Sequence, residues 1–273
     1  MITTRITYVA ICIILAFFAF VYLLPFWTVL TTALKDDVSV ILTNPIEPPP
    51  SPTLEPFVKA FNEIKRALYN SLMFTTFATI FSSIIGSLNG YILSKIRFKH
   101  SDIFFLLFSI GIFIPYQAVV IPLIVTMSRL GIYNTIPGMI LTHTAYGIPI
   151  CTLFFRNFYD DLPESLTMAA KIDGAGAWRI YRNIVLPLSW PAFVVTAVFQ
   201  FTSIWNDFLF GVVLTAGLGQ PASVVLANLL GTTTATWNIQ MAGTFIYALP
   251  VVAVYLIMGK YLIKGYLSGA IKG

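Results

Sequence analysis

Between positions 168 and 187 the chain reads MAAKIDGAGAWRIYRNIVLP, a run with two glycines, an aspartate, a lysine and two arginines. Glycine beside charge invites a phosphate-binding reading. Gly174-Ala175-Gly176 supplies two of the three glycines of a G-x-G-x-x-G turn. Position 179 is arginine, however, and the preceding residues have a helical rather than a strand pattern, so the dinucleotide fingerprint fails on context. No G-x-x-x-x-G-K-S/T phosphate loop occurs anywhere in the chain. No Ser/His/Asp set, paired carboxylates or metal-spaced histidines converge, because His100 and His143 are far apart.

The chemistry that remains is docking. Pro163 suits a first helical turn, and Glu164 beside it complements the positive end of the helix dipole. The spacing predicts a helix over PESLTMAAKID that stops at Gly174 and a second helix after GAGA. In the second helix Trp178, Tyr181, Ile184 and Val185 are expected on one face, and Arg179, Arg182 and Asn183 on another. Pro187 and Pro191 end it. A helix pair with one apolar side suits contact with another protein. Gly174 permits a tight turn, Asp173 can cap backbone donors or meet a basic group, and Trp178 can anchor one helix on the next.

Asp207, in SIWNDFLFG, is the other chemically conspicuous residue, because a carboxylate at bilayer depth costs several kcal/mol unless it meets a cavity or a partner. It either lines a path with Asn206 or sits at a helix end or against a neighbouring helix. Asn89, Tyr116 and Gln117 are further candidates for a polar path, with interhelical hydrogen bonding as the alternative.

The elements that position these residues follow from composition. Of 273 residues, 58% are hydrophobic and only 10% charged, against about 25% charged in soluble domains. A bilayer crossing takes about 20 mainly apolar residues. Six spans fit, over 7–33, 67–93, 103–127, 135–155, 189–213 and 239–262. The expected class is an all-α membrane protein with a single domain over 1–273, an outer loop 34–66, an inner loop 156–188 and an inner tail 263–273. The first apolar run is too long for a signal-peptide core and is expected to be retained. In 34–66, IEPPPSP favours extended chain. Phe57, Ala60, Phe61, Ile64 and Leu68 predict a short surface helix leading into the second span. Gly86 and Gly90 form a small-xxx-small pair for close helix packing. Pro115, Pro122 and Pro137 are expected to interrupt the third and fourth spans.

Both termini are expected to be cytoplasmic. That orientation places 11 of the 16 Lys and Arg inside: Arg5, Lys95, Arg97, Lys99, Arg156, Lys171, Arg179, Arg182, Lys260, Lys264 and Lys272. The net charge of +5 is therefore read as topology, with no nucleic-acid partner implied. Cys12 and Cys151 lie in apolar runs and are expected to be free thiols, not a metal or disulfide framework.

Together these residues carry a specific family resemblance. The stretch resembles the coupling loop of ABC importer permeases, a Glu-Ala-Ala run, an Asp-Gly-Ala turn and a later Leu-Pro. Ala169, Ala170, Asp173, Gly174, Ala175, Ile184, Leu186 and Pro187 match it, while Met168 stands at the Glu position. WNDFLF and the tail GYLSGAIKG resemble further segments of the carbohydrate-uptake type, with Lys264 where arginine is usual. The resemblance implies a type I permease fold and sugar uptake by alternating access. It implies two separate ATP-binding subunits docked on the loop, with ATP and Mg2+ held there and no cofactor on this chain. It also implies a second, unlike permease subunit and an extracytoplasmic sugar-binding protein. Importers of other solutes share such loops. An ATP-independent secondary transporter would be expected to show inverted repeats, and no clear repeat relates 1–133 to 134–273.

Overall fold

A chain surrounded by hydrocarbon must satisfy its backbone hydrogen bonds internally, and helices do so within one segment. In a computed structural model the structure describes residues 2–96, 98–229 and 236–270, with side chains described over 7–96, 98–229, 236–259 and 261. The described residues contain helices and no strand. The principal helices are α1 (Ile2–Ala33), α2 (Glu55–Tyr91), α3 (Ser101–Ile112), α4 (Tyr116–Arg129), α5 (Ile136–Asp160) and α6 (Glu164–Ile172). They continue as α7 (Ala177–Ile180), α8 (Trp190–Trp205), α9 (Leu209–Leu214), α10 (Ala222–Asn228) and α11 (Trp237–Ala270). Wider π turns extend α2 over Ile92–Ile96 and α7 over Tyr181–Val185.

Among the described residues, four helices are long and apolar enough to cross a membrane, and two bent pairs pass the same test as single broken spans. The bends are the main departure from six straight spans. The third apolar segment breaks between α3 and α4 with a 93° change of direction. Pro115 occupies the start of α4 in an extended conformation, where it has no N–H to continue the preceding helix. Pro122 does not interrupt anything: it lies within α4, and Thr126 Oγ1 donates to its carbonyl at 2.7 Å. Pro137 begins α5, where the Thr135 side chain caps Gly138 N at 3.1 Å. The fifth segment turns by 72° between the α7 run and α8, at Ser189 and ahead of Pro191. It does not run unbroken to 213. α8 stops at Trp205, and α9 starts afresh at Leu209.

The chain divides into two compact units. The first comprises 1–66 and 225–249. There α1 is exposed through its membrane-length part. The fully buried Lys35 donates through Nζ to Asn44 O at 2.6 Å. Asn238, also fully buried, donates to Lys35 O at 2.8 Å and to Asp37 Oδ1 at 3.0 Å. Lys59 pairs with Asp37 at 3.1 Å. The short surface helix expected near 57–68 is not separate. Ala60 and Ile64 are buried in the first turns of α2, which continues to Tyr91.

The second unit comprises 67–224 and 250–273 and carries both candidate sites. Its α2 and α5 pack backbone to backbone. A Cβ added at Gly86 would lie 2.8 Å from the Cys151 carbonyl carbon, and one at Gly90 would lie 2.7 Å from Arg156 N. Gly86 and Gly90 are thus packing glycines. One apolar core joins Phe74, Ala78, Met127, Met139, Ile204, Phe210 and Leu214. A second joins Tyr91, Phe155, Tyr159, Ile180, Tyr181, Val185 and Ala192. The tail motif from 265 lies outside the described side chains, and 271–273 lie outside the described residues, as does Arg97.

Candidate functional site: the 163–187 loop and an intramembrane polar cavity

The loop begins with α6 and closes it in a defined way. Gly174 has φ +77°, a left-handed value that costs a residue with a Cβ about 1–2 kcal/mol. Gly174 N donates to Lys171 O at 3.0 Å, and Ala175 N donates to Ala170 O at 2.9 Å. These two bonds are the paired 5→2 and 6→1 bonds of a Schellman end, which satisfies the last carbonyls of α6. Ala170 and Ala175 are partly buried against the second core. Met168, Ala169, Asp173 and Gly174 face outward, with Ile172 86% and Met168 54% exposed. The outer face of α6 is therefore apolar, held at a fixed angle by its own C-terminal turn.

Trp178 does not join the buried face. It is 64% exposed, although its ring stacks at a tilt on Tyr181 at 5.6 Å. The buried set is Ile180, Tyr181 and Val185, while Trp178, in the first turn of α7 ahead of the π turn, lies outside it. Ile184 and Leu186 are half-buried and Pro187 is exposed.

The roots of the loop end in a buried hydroxyl cluster. Ser87 Oγ lies 2.6 Å from Tyr159 OH and 2.9 Å from Tyr181 OH. Ser189 Oγ lies 3.0 Å from Tyr159 OH. Tyr91 OH donates to Ala177 O at 3.0 Å, and Lys95 Nζ donates to Leu162 O at 2.8 Å. Nearby, Ser94 Oγ donates to Asp160 Oδ1 at 2.6 Å. Arg156 lies over the Phe105 ring at 3.7 Å and donates to Asp102 at 2.8 Å.

Elsewhere in the same unit, a cavity of about 150 Å³ opens between α3, α4, α5, α8 and α9. Tyr116, Tyr146, Phe199 and Phe210 give it aromatic walls, and His143, Gln200, Ser203 and Asp207 give it polar groups. Asp207 lies in the break between α8 and α9, where Oδ2 accepts from Gly211 N at 3.3 Å. It therefore both caps a helix and borders a cavity. His143 is buried, stacked on Phe74 at 5.6 Å, and its Nε2 has no hydrogen-bond partner. Asp207 Oδ2 lies 3.8 Å away. Gly147 brings α5 close to both α2 and α8, since a Cβ there would lie 2.8 Å from Ser82 Cβ and would strike the Gln200 amide.

Of the five path candidates, Tyr116 and Asp207 border this cavity. Asn89 does not. It donates to Thr152 Oγ1 at 3.4 Å, the interhelical alternative. Gln117 and Asn206 are exposed outside the cavity, with Asn206 Nδ2 bonded back to Thr202 O at 2.9 Å. The residues that sequence reading missed are His143, Tyr146, Gln200 and Ser203. A signal was available. Gln200 and Ser203 are three apart in α8, and Tyr146 and Gly147 lie three and four after His143 in α5, so each set shares a helix face.

Residues 82–266 match the model of the family described as "Binding-protein-dependent transport system inner membrane component". The chain is 54% identical over 263 residues to a probable ABC transporter permease protein of Pyrococcus horikoshii, covering 96% of each chain. It is 36% identical to the xylose/arabinose import permease protein of Haloferax volcanii, covering 92% of this chain and 89% of the relative. Among solved structures it resembles a chain of a bacterial ABC transporter involved in the import of the acidic polysaccharide alginate. That match has a TM-score of 0.80 at 20% identity and covers 94% of this chain and 96% of the other.

Proposed function

The chain belongs to the family of binding-protein-dependent transport system inner membrane components, and from that premise we propose that it moves a sugar into the cell by ATP-driven alternating access. It is a multi-pass membrane permease with the type I importer fold. In our reading a second, unlike permease completes the pore, two ATP-binding subunits hold ATP and Mg2+, and an extracytoplasmic binding protein delivers the sugar. Both termini and the 163–187 loop lie on the cytoplasmic side. The sugar class is supported by the names of relatives, among them the xylose/arabinose permease already described.

The observation that carries the coupling role is the geometry of α6. Its outer face, with Met168 and Ile172 exposed, is presented by a helix closed at Gly174 and rooted at Ala170 and Ala175 in a core shared with α5 and α8. A push on that face reaches the spans through packed side chains. Tyr116, His143, Tyr146, Gln200 and Asp207 line part of the sugar's path in the same reading, because an aromatic wall with a few polar groups suits a ring bearing hydroxyls. ATP binding on the partners would move the loop, and the spans would then expose the path to one side or the other.

Gly174→Asp tests the coupling role directly. A side chain at φ +77° strains the turn without touching the spans, since nothing lies within 4 Å of a Cβ there. The variant is expected to insert normally and to lose ATP-driven sugar uptake. Uptake at the unaltered rate sinks the assignment.

A further inference from the structure

The loop is fastened to the rest of the fold in an unexpected way: both of its ends are tied to one short stretch of α2. At the entering end, Lys95 Nζ donates to Leu162 O at 2.8 Å, one residue before Pro163. At the leaving end, Tyr91 OH donates to Ala177 O at 3.0 Å, one residue after Gly176. Four residues back, Ser87 Oγ meets Tyr181 OH at 2.9 Å and Tyr159 OH at 2.6 Å. Ser87 and Tyr91 are four apart on a helix, and Lys95 follows across the π turn Ile92–Ile96, so the three point to one side. Ser87 is fully buried and Tyr181 is 4% exposed, so water does not compete for the Ser87 bonds, while Tyr91 and Lys95 hold part-buried bonds at the loop's two ends.

We propose that Ser87, Tyr91 and Lys95 form a clamp that positions the coupling loop, so that the excursion 163–176 moves as one body with the end of α2. The excursion otherwise packs through few buried residues. Only Thr167 within α6 is buried, with Ala170 and Ala175 half-buried. α2 is in turn locked to α5 by the close approach at Gly86 and Gly90. A displacement of α6 therefore passes first into α2 and α5, and into α8 through Ser189, whose Oγ lies 3.0 Å from Tyr159 OH. Lys95 and Tyr91 are positioning residues here; neither reaches the outer face that a partner would touch. The π turn serves the clamp by bringing Lys95 into reach of a carbonyl at the far root.

This inference rests on the proposed coupling role, and its test separates the two. The full importer, with its partner subunits, is placed in lipid nanodiscs as the unaltered protein, Tyr91→Phe, Lys95→Met and the double variant. Phe and Met keep most of the side-chain bulk and delete the donors. Amide hydrogen exchange over 163–180 reads the clamp whether or not ATP is coupled. Sugar transported per ATP hydrolysed reads the transmission. Each lost bond is expected to speed exchange in the loop and lower sugar per ATP by about fivefold. The double variant is expected to lose more than the product of the singles, because one end still holds in each single. Exchange unchanged in the double variant overturns the clamp. Faster exchange with an unaltered sugar-to-ATP ratio also overturns the proposal, by showing that the clamp does not carry the motion.

Discussion

His143 Nε2 stands 3.8 Å from Asp207 Oδ2 at the edge of the aromatic cavity, with the two side chains 5% and 10% exposed. The distance is beyond hydrogen-bond reach, so a buried nitrogen is left without a partner. A passing hydroxyl could occupy that position. His143→Phe tests it. Phenylalanine keeps the stack on Phe74 and the edge contact with Phe210 but removes the nitrogen. Stability is expected to hold or rise by up to about 1 kcal/mol, since an orphaned polar group is deleted, while sugar uptake falls about tenfold for the lost bond. Thermal unfolding and uptake in the same membranes check both halves; uptake at the original rate removes His143 from the path.

Glycines in this chain serve different physical ends, and alanine substitution sorts them. At Gly90 a Cβ would meet Arg156 N at 2.7 Å, so Gly90→Ala is expected to destabilise by about 1–3 kcal/mol through overpacking. At Gly174 there is space but a left-handed backbone, so Gly174→Ala is expected to cost about 1–2 kcal/mol. Gly176 has open space and an extended backbone, and Gly176→Ala is expected to be neutral or mildly stabilising. Melting temperatures of the three variants in one detergent give the ranking, and a Gly176 variant as damaged as the Gly90 variant contradicts it.

Acid should weaken the first unit through Asp37. The Asn238 amide donates to its carboxylate, Lys59 lies beside it, and together they hold its pKa below the ordinary 3.8. A carboxyl depressed on folding stabilises fully above its unfolded pKa and loses that contribution as pH falls through the lower folded value. The contribution is therefore flat from pH 7 to about 5 and disappears below the ordinary carboxylate range. Asp37→Asn is expected to flatten the acid limb of a melting-temperature profile between about pH 5 and 3, and an unchanged limb contradicts the role given to Asp37.

Met168 should make the docking contact apolar where the coupling-loop pattern that this stretch resembles has glutamate. It is 54% exposed on α6 with Ile172 beside it. Met168→Glu places a carboxylate one turn after Glu164, a like-charge i,i+4 pair costing only a few tenths of a kcal/mol to the helix. Folding is expected to be unaffected, while co-purification of the ATP-binding subunits weakens because a charge enters an apolar contact. A complex that becomes tighter instead would show the partner surface to be basic at that point.

The helices and their apolar character were legible in composition, because lipid leaves the backbone one cheap solution. The loop was legible because glycine at 174 and proline at 163 mark turns by their own stereochemistry, whereas Pro187 lies within a helix that runs on to Leu188 before the bend at Ser189. What periodicity could not convey was geometry that depends on one residue too many or a missing N–H. The 93° turn before Tyr116 and the break at Asn206–Phe208 fell inside runs that read as continuous spans. Trp178, in the first turn after Gly176, is exposed although a 3.6-residue period sets it on the face of Tyr181 and Val185. His143 was read alone, since its relation to Asp207 spans 64 positions and appears only once α5 and α8 pack. Asn89 followed the interhelical alternative, its amide spent on Thr152.

The central claim is that motion at the 163–187 loop, powered by another subunit's ATP, drives sugar through this chain. Proteoliposomes containing this chain with its partner subunits and a sugar-loaded binding protein test it most directly, with sugar entry and phosphate release followed together. The account predicts sugar entry only with ATP and Mg2+, and in the Gly174→Asp protein phosphate release without sugar entry. Sugar accumulation in the absence of ATP, or full transport by the Gly174→Asp protein, would contradict it.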